Sequence, residues 1–157
     1  MLLSDKHNEE TDLLITRVVP VSPENLFKGW TDPELMKQWF CPKPWRVTEA
    51  QVDLRPGGGS YLVMEGPNGE KHPMHGCYLE IVPNQKLVFT DMMTAGYHPA
   101  EGGFFVGIIT FEKTPEGTRY TARGLHKNKE DRDKHDAMGF TDGWNKALDQ
   151  LVELFTK

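Results

Sequence analysis

The residues best able to do chemistry in this chain are its six histidines, two cysteines and strand carboxylates, and their spacing limits what that chemistry could be. His75 and His126 each lie in or at the end of a stretch that reads as an apolar strand. An imidazole there could orient a ligand oxygen or exchange a proton near neutral pH; the alternative, a structural or exposed histidine, weighs more for either one. His72 and His75 have HxxH spacing, but residues three apart on a strand point to opposite faces, so no metal site is expected. Cys41 and Cys77 lie far apart without CxxC spacing, which predicts reduced, buried thiols. Glu49, Asp53, Glu65 and Asp91 fall within predicted strands, where an inward charge needs a partner such as Arg55, Arg119 or Arg123. A carboxylate paired with His75 or His126 in a dry pocket would indicate proton transfer, and the sequence shows no such pair. "DLRPGGGS" lacks the lysine and following helix of a phosphate loop and reads as a hairpin turn. No nucleophile elbow, dinucleotide fingerprint or zinc-hydrolase motif is present, so no cofactor is expected.

The elements that must position these residues follow from local patterns. Ile15 to Val19 is a β-branched run ended by Pro20, hence a first strand. Ser22 before Pro23, and Thr31 or Asp32 before Pro33, are two helix-start signals; they predict two short helices. From Trp45 to Asn128, short apolar runs alternate with turn sequences such as "RPGGGS", "GPNGE" and "TPEGT", which predicts about six antiparallel strands in a meander. "HKNKEDRDKHD" (126–136) balances its charges and reads as a solvated connection. The final helix is expected over Met138–Lys157, with Ala137, Thr141, Trp144, Leu148, Leu151, Val152 and Phe155 in one stripe and two interior glycines, Gly139 and Gly143. Each glycine costs about 0.5–1 kcal/mol relative to alanine. Two explanations stay open: close approach of a strand or loop, or room at the mouth of a cavity.

Four blocks, "SPENLFKGWTDPELMKQWF", "VDLRPGGGSYLVM", "GCYLEIVPNQKLVFT" and "HDAMGFTDGWNKALDQLVELF", resemble the SRPBCC or START-like superfamily, and within it homologues of the C-terminal domain of the activator of the heat-shock chaperone ATPase. The resemblance runs in order from about residue 12 to 155. It implies an α+β helix-grip (START/Bet v-like) fold: a curved antiparallel sheet around a long C-terminal helix, two short helices after the first strand, and a cavity between sheet and helix. It also implies binding of a small molecule, or contact with a chaperone.

With that fold as guide, Trp30, Trp39, Phe40, Trp45, Tyr61, Met64, Met93 and Phe105 are candidates for the cavity wall, since aromatic rings and methionines suit an apolar ligand. Met138, Gly143 and Trp144 are the candidates from the final helix; His75, His126 and Asp91 are the polar ones. Plain core is the competing reading for each. Strand alternation puts Ser60, Leu62 and Met64 opposite Tyr61, Val63 and Glu65, and groups His75 with Cys77, Leu79 and Ile81, a set expected to face inward. The loop "MMTAGYHPAEGGFF" is a candidate lid or contact surface.

The 157 residues suit one domain, expected over 12–157 after a flexible tail (1–11). A net charge of -5 disfavours general attraction to nucleic acid or anionic membranes. No stable membrane insertion and a cytoplasmic location are expected from the polar start after Leu2 and Leu3. Three functions are carried forward: a module binding a small apolar or amphipathic molecule, a cyclase- or hydratase-type enzyme using a pocket histidine and carboxylate, and a protein-interaction domain. A homodimer through an exposed face stays open.

Overall fold

A computed structural model describes all residues, 1–157. The β-branched run forms β1 (Asp12–Val19). Ser22 accepts from the backbone N–H of Asn25 and, with Pro23 opening the helix, starts α1 (Pro23–Thr31). Asp32 accepts from Glu34 N–H and starts α2 (Pro33–Trp39). The meander follows as β2 (Arg46–Val52), β3 (Gly59–Glu65), β4 (Lys71–Val82) and β5 (Lys86–Thr90), then a small hairpin of β6 (Met93–Thr94) and β7 (His98–Pro99), then β8 (Val106–Thr114) and β9 (Gly117–Leu125). The chain closes with α3 (Lys129–Ala137) and α4 (Phe140–Thr156).

The seven long strands form one antiparallel sheet in the order β1-β9-β8-β5-β4-β3-β2. Register shifts between Val47 and Glu49 and between Tyr78 and Glu80 interrupt the ladder; such irregularities bend a strand and help a sheet curve. On the inner face Leu13, Ile15, Leu87, Ile109, Phe111, Tyr120 and Ala122 share one core with Ala147, Leu148 and Leu151 of α4. Helix and curved sheet together make the helix-grip arrangement that the four sequence blocks imply. Arg17 ties the two across the top: its guanidinium lies 2.7 Å from the Asp149 carboxylate and donates to the Asn145 carbonyl.

Two expectations about the C-terminal region need correction. The charged stretch expected as a solvated connection contains α3, capped by the Asn128 side chain accepting from Asp131 N–H. Ion pairs between Lys129 and Asp133 at 2.7 Å and between Lys127 and Asp131 at 3.0 Å lie along its surface. Its apolar content is too low for periodicity to reveal it. The long helix, in turn, starts after Gly139 and not at Met138. Gly139 sits at φ 91° as the residue before α4, so it is a joint between two helices and not a helical glycine. Ala137 and Thr141 of the expected stripe are exposed, and Phe140 takes the buried role.

Close approach of a strand or loop, the first of the two explanations for the glycines, does not survive. A Cβ on Gly139 would meet nothing within 4 Å, and one on Gly143 would meet only Pro42 Cγ at 3.8 Å, an ordinary contact. The two positions therefore respond oppositely to the same substitution. Gly143→Ala should stabilise by about 0.5–1 kcal/mol, because it removes backbone entropy without a clash. Gly139→Ala should destabilise by about 1 kcal/mol, because its φ is unfavourable for any side chain. Urea denaturation of both variants checks the pair of signs.

Candidate functional site

The cavity expected between the sheet and α4 is not open: that space is filled by aromatic rings from α1, the end of α2, the sheet and α4. Trp30 of α1 is the centre: its ring centroid lies 5.0 Å from Trp39, 5.5 Å from Phe40, 5.6 Å from Phe89 and 6.3 Å from Trp144. Its indole N–H donates to the Tyr120 hydroxyl at 3.0 Å, and the Trp39 N–H donates to the Gly29 carbonyl at 2.8 Å. Both buried indoles thus keep a partner. Phe105 joins Phe89 to Trp144, and Trp144 stacks on Phe140 at 4.8 Å.

Sequence reasoning missed the glycines that make this possible. Gly107 and Gly124 face each other across β8 and β9. A Cβ on Gly107 would come within 2.5 Å of the Phe89 ring, and one on Gly124 within 3.1 Å of the Phe140 ring. Their strands lack the helical glycine signal that drew attention to α4, and only the cross-strand register shows that they are neighbours.

Of the candidates, Trp30, Trp39, Phe40, Phe105, His126 and Trp144 come together in or beside this cluster. Trp45 and Met64 pack instead on a smaller core formed by Met36, Cys41, Val47 and Leu62 under α2. Leu62 and Met64 face inward, so Tyr61 and His75 lie on the outer face, paired with ring centroids 4.8 Å apart. The expectation that His75 faces inward with Cys77, Leu79 and Ile81 fails because the irregularity at Leu79 changes parity along β4: His75 is exposed, whereas Tyr78 and Ile81 join the core. Met138 is 67% exposed, far from a wall position, because it sits at the joint before Gly139. Met93 belongs to the β6–β7 hairpin, and Gly143 borders only Pro42.

The long loop divides into two parts with different positions. Its first half is the β6–β7 hairpin, which packs on the glycine-rich turn between β2 and β3: Gly96 N–H donates to the Gly57 carbonyl, and Ala95 and Tyr97 lie against Gly59 and Gly57. It therefore does not cover the gap beside α4. An open groove of about 430 Å³ lies next to it, with Gln51, Asp53, Tyr61, His75 and Thr94 among the residues along its walls. The second half returns to the cluster as Phe104 and Phe105. Their backbone N–H groups donate to one oxygen of Asp91, at 2.9 and 3.1 Å. Asp91 is thus an anchor for this segment and not a pocket acid. Of the other carboxylates considered, Asp53 pairs with Arg55 at the surface, Glu65 lies 3.8 Å from Arg46, and Glu49 is exposed.

The polar feature of the cluster is a pair of buried histidines. His126 Nδ1 lies 2.8 Å from the Thr11 carbonyl oxygen, and His126 Nε2 lies 2.8 Å from His135 Nδ1. A carbonyl only accepts, so His126 Nδ1 carries hydrogen. In the neutral pair its Nε2 is then the acceptor, and His135 Nδ1 is the donor. Phe104, Phe105 and Phe140 surround the His135 ring at 4.8, 4.9 and 5.0 Å. Burial, reinforced by the neighbouring His126 and opposed by Asp136, pushes the His135 pKa down to about 4. No carboxylate partners His126; the partner came from the stretch expected as solvated connection. Cys41 and Cys77 are free and buried, as expected, and burial pushes the Cys41 thiol up to about 11, away from thiolate chemistry.

Comparison with known proteins now bears on this geometry. The sequence model for activator of Hsp90 ATPase homolog 1-like proteins matches residues 20–156. The chain belongs to this family. Protein NE0264 of Nitrosomonas europaea is 40% identical, with 94% of this chain and 96% of that one covered and a TM-score of 0.92. Protein Ms6760 of Mycobacterium smegmatis is 25% identical over 96% and 94% of the two chains, with a TM-score of 0.79. The AHSA1-like protein of Aeromonas hydrophila shares the fold at 18% identity, 90% coverage of each chain and a TM-score of 0.67. No curated protein matches the chain. Membership of the Hsp90 ATPase activator homolog 1-like family supports a module that binds a ligand or a partner. No helix is long and apolar enough to cross a membrane.

In this family member the histidine pair makes stability depend on pH. His135 binds its proton less readily folded, about 4, than in an unfolded chain, about 6.5. The unfolded state therefore takes up the proton first as pH falls. The contribution is complete above about pH 6.5, declines between about 6.5 and 4, and levels off below, with an upper size of about 3 kcal/mol. Denaturation midpoints across this range should show the decline in the native protein and a flatter profile in His135→Phe.

Proposed function

We propose that the protein is a binding module for a small apolar or amphipathic molecule, received where Phe104, Phe105 and Trp144 border the gap between the sheet and α4. The observation that carries this reading is the aromatic cluster itself. Its inner members are buried, while Phe40, Phe104, Phe105 and Trp144 at its margin are each only partly buried. Such a margin offers flat apolar walls to a ligand, with two polar groups, the Trp144 indole and the histidine pair, close by. The gap is occupied by side chains, so a ligand must displace part of the margin. The Phe104–Phe105 segment is suited to that: it has no regular secondary structure and is held by three hydrogen bonds, two from its backbone N–H groups to Asp91 and one from the Thr90 hydroxyl to the Phe105 carbonyl.

The proton-transfer reading has one observation in its favour, the neutral His135 base among apolar rings. It lacks the partner carboxylate that an acid–base pair would supply, and binding needs no such group.

Thermal denaturation against a library of lipids and aromatic compounds tests the binding reading. A ligand at a hundredfold excess over its Kd contributes about 2.7 kcal/mol, a rise of several degrees in Tm for a domain of this size. Trp144→Ala should abolish the rise, and Asp91→Ala should speed association by loosening the Phe104–Phe105 segment. A library that shifts the native protein with no compound rejects the proposal.

A further inference from the structure

The histidine pair does more than fill space, because its outermost nitrogen is unpaired. Thr11, His126 and His135 form a chain in which each link sets the next: the carbonyl fixes Nδ1–H on His126, and the bridge fixes Nδ1–H on His135. That leaves Nε2 of neutral His135 as a lone-pair acceptor. No protein group bonds to it. The side-chain atoms that are both sealed from solvent and unpaired are Thr114 Oγ1, Arg123 Nε, Asp131 Oδ2 and Arg132 Nε. His135 Nε2 is not one of these, so it retains contact with solvent while its ring lies among Phe104, Phe105 and Phe140.

The geometry points to a specificity element: His135 Nε2 accepts a hydrogen bond from a neutral donor, a phenolic or alcoholic hydroxyl, on an otherwise apolar aromatic ligand. This rests on the binding reading above and names the chemical class that site selects. The low affinity of His135 for a proton keeps the nitrogen an acceptor at neutral pH. A carboxylate or ether oxygen, which can only accept, gains nothing from it. The neighbouring rings provide the flat apolar surface that an aryl group needs. His126 is a positioning residue here, since it acts through the tautomer it imposes on His135 and has both of its own nitrogens engaged.

The test compares 1-naphthol with 1-methoxynaphthalene, near-equal in shape and differing in the donor, by tryptophan fluorescence and calorimetry at pH 7.5. Naphthol should bind about 3- to 10-fold more tightly, the worth of one neutral hydrogen bond. In ¹⁵N-histidine spectra of the native protein, naphthol should move the His135 Nε2 resonance and the ether should leave it in place, a readout that needs no variant. His135→Phe should bind the two compounds equally while still binding the ether. Equal binding of both compounds to the native protein, with a silent Nε2 resonance, overturns the inference and leaves the binding module standing. Binding of neither compound also overturns the inference, while the reading it rests on stands or falls with the library.

Discussion

The burial of Trp30 is the constraint on which the rest of the structure depends. An indole placed in the middle of a small domain needs apolar surface on both faces and a partner for its N–H. Phe89 and Trp144 approach it from the sheet and from α4, Trp39 and Phe40 from the end of α2, and the Tyr120 hydroxyl oxygen on β9 accepts its hydrogen bond. One residue thereby fixes the position of both short helices relative to the sheet and the final helix. Burial of Tyr120 in turn raises its pKa, against the opposing pull of the Trp30 hydrogen bond and Arg17, so the hydroxyl stays neutral inside the core.

The sheet accommodates these rings by leaving material out. Gly107 and Gly124 clear a strip of the inner face where Phe89 and Phe140 lie. Close packing elsewhere in the core follows the same rule: a Cβ on Gly29 would come within 2.5 Å of Leu151 Cδ1, so α1 and α4 touch through a glycine. Gly139 and Gly143, which stand out by spacing, have no such neighbour. Gly139 answers to backbone conformation alone, since two helices must meet there at an angle that only a left-handed residue provides.

At the margin of the cluster the forces are more polar. Thr11, just before β1, is joined to the end of β9 and to α3 by the two histidines, and Asp12 accepts from Asn8 N–H and lies 3.5 Å from Arg123. This network holds the first strand against the last, and presents an uncharged imidazole among rings. On the opposite side of the sheet, the β6–β7 hairpin and the glycine-rich turn pack on each other and leave Tyr61 and His75 at an open groove. A single meander thus serves both the aromatic cluster and this groove, because neighbouring residues of a strand point to opposite faces.

The sequence by itself determined what depends on neighbours in the chain: both helix caps, the proline starts, the strand runs, the hairpin turns and the amphipathic final helix. Those signals act within a few residues, and the helix-grip architecture was legible from them together with the family resemblance. Only the tertiary structure decided which strand face turns inward, because a one-residue irregularity at Leu79 reverses the parity that sequence alternation assumes. The same holds for His126, whose partner lies nine residues away on a helix made almost wholly of charged residues, which no apolar period marks. Long-range register brings Gly107 to Gly124, and packing of α1 on the sheet brings Trp30 to Tyr120; both are properties of paired elements, absent from any one of them.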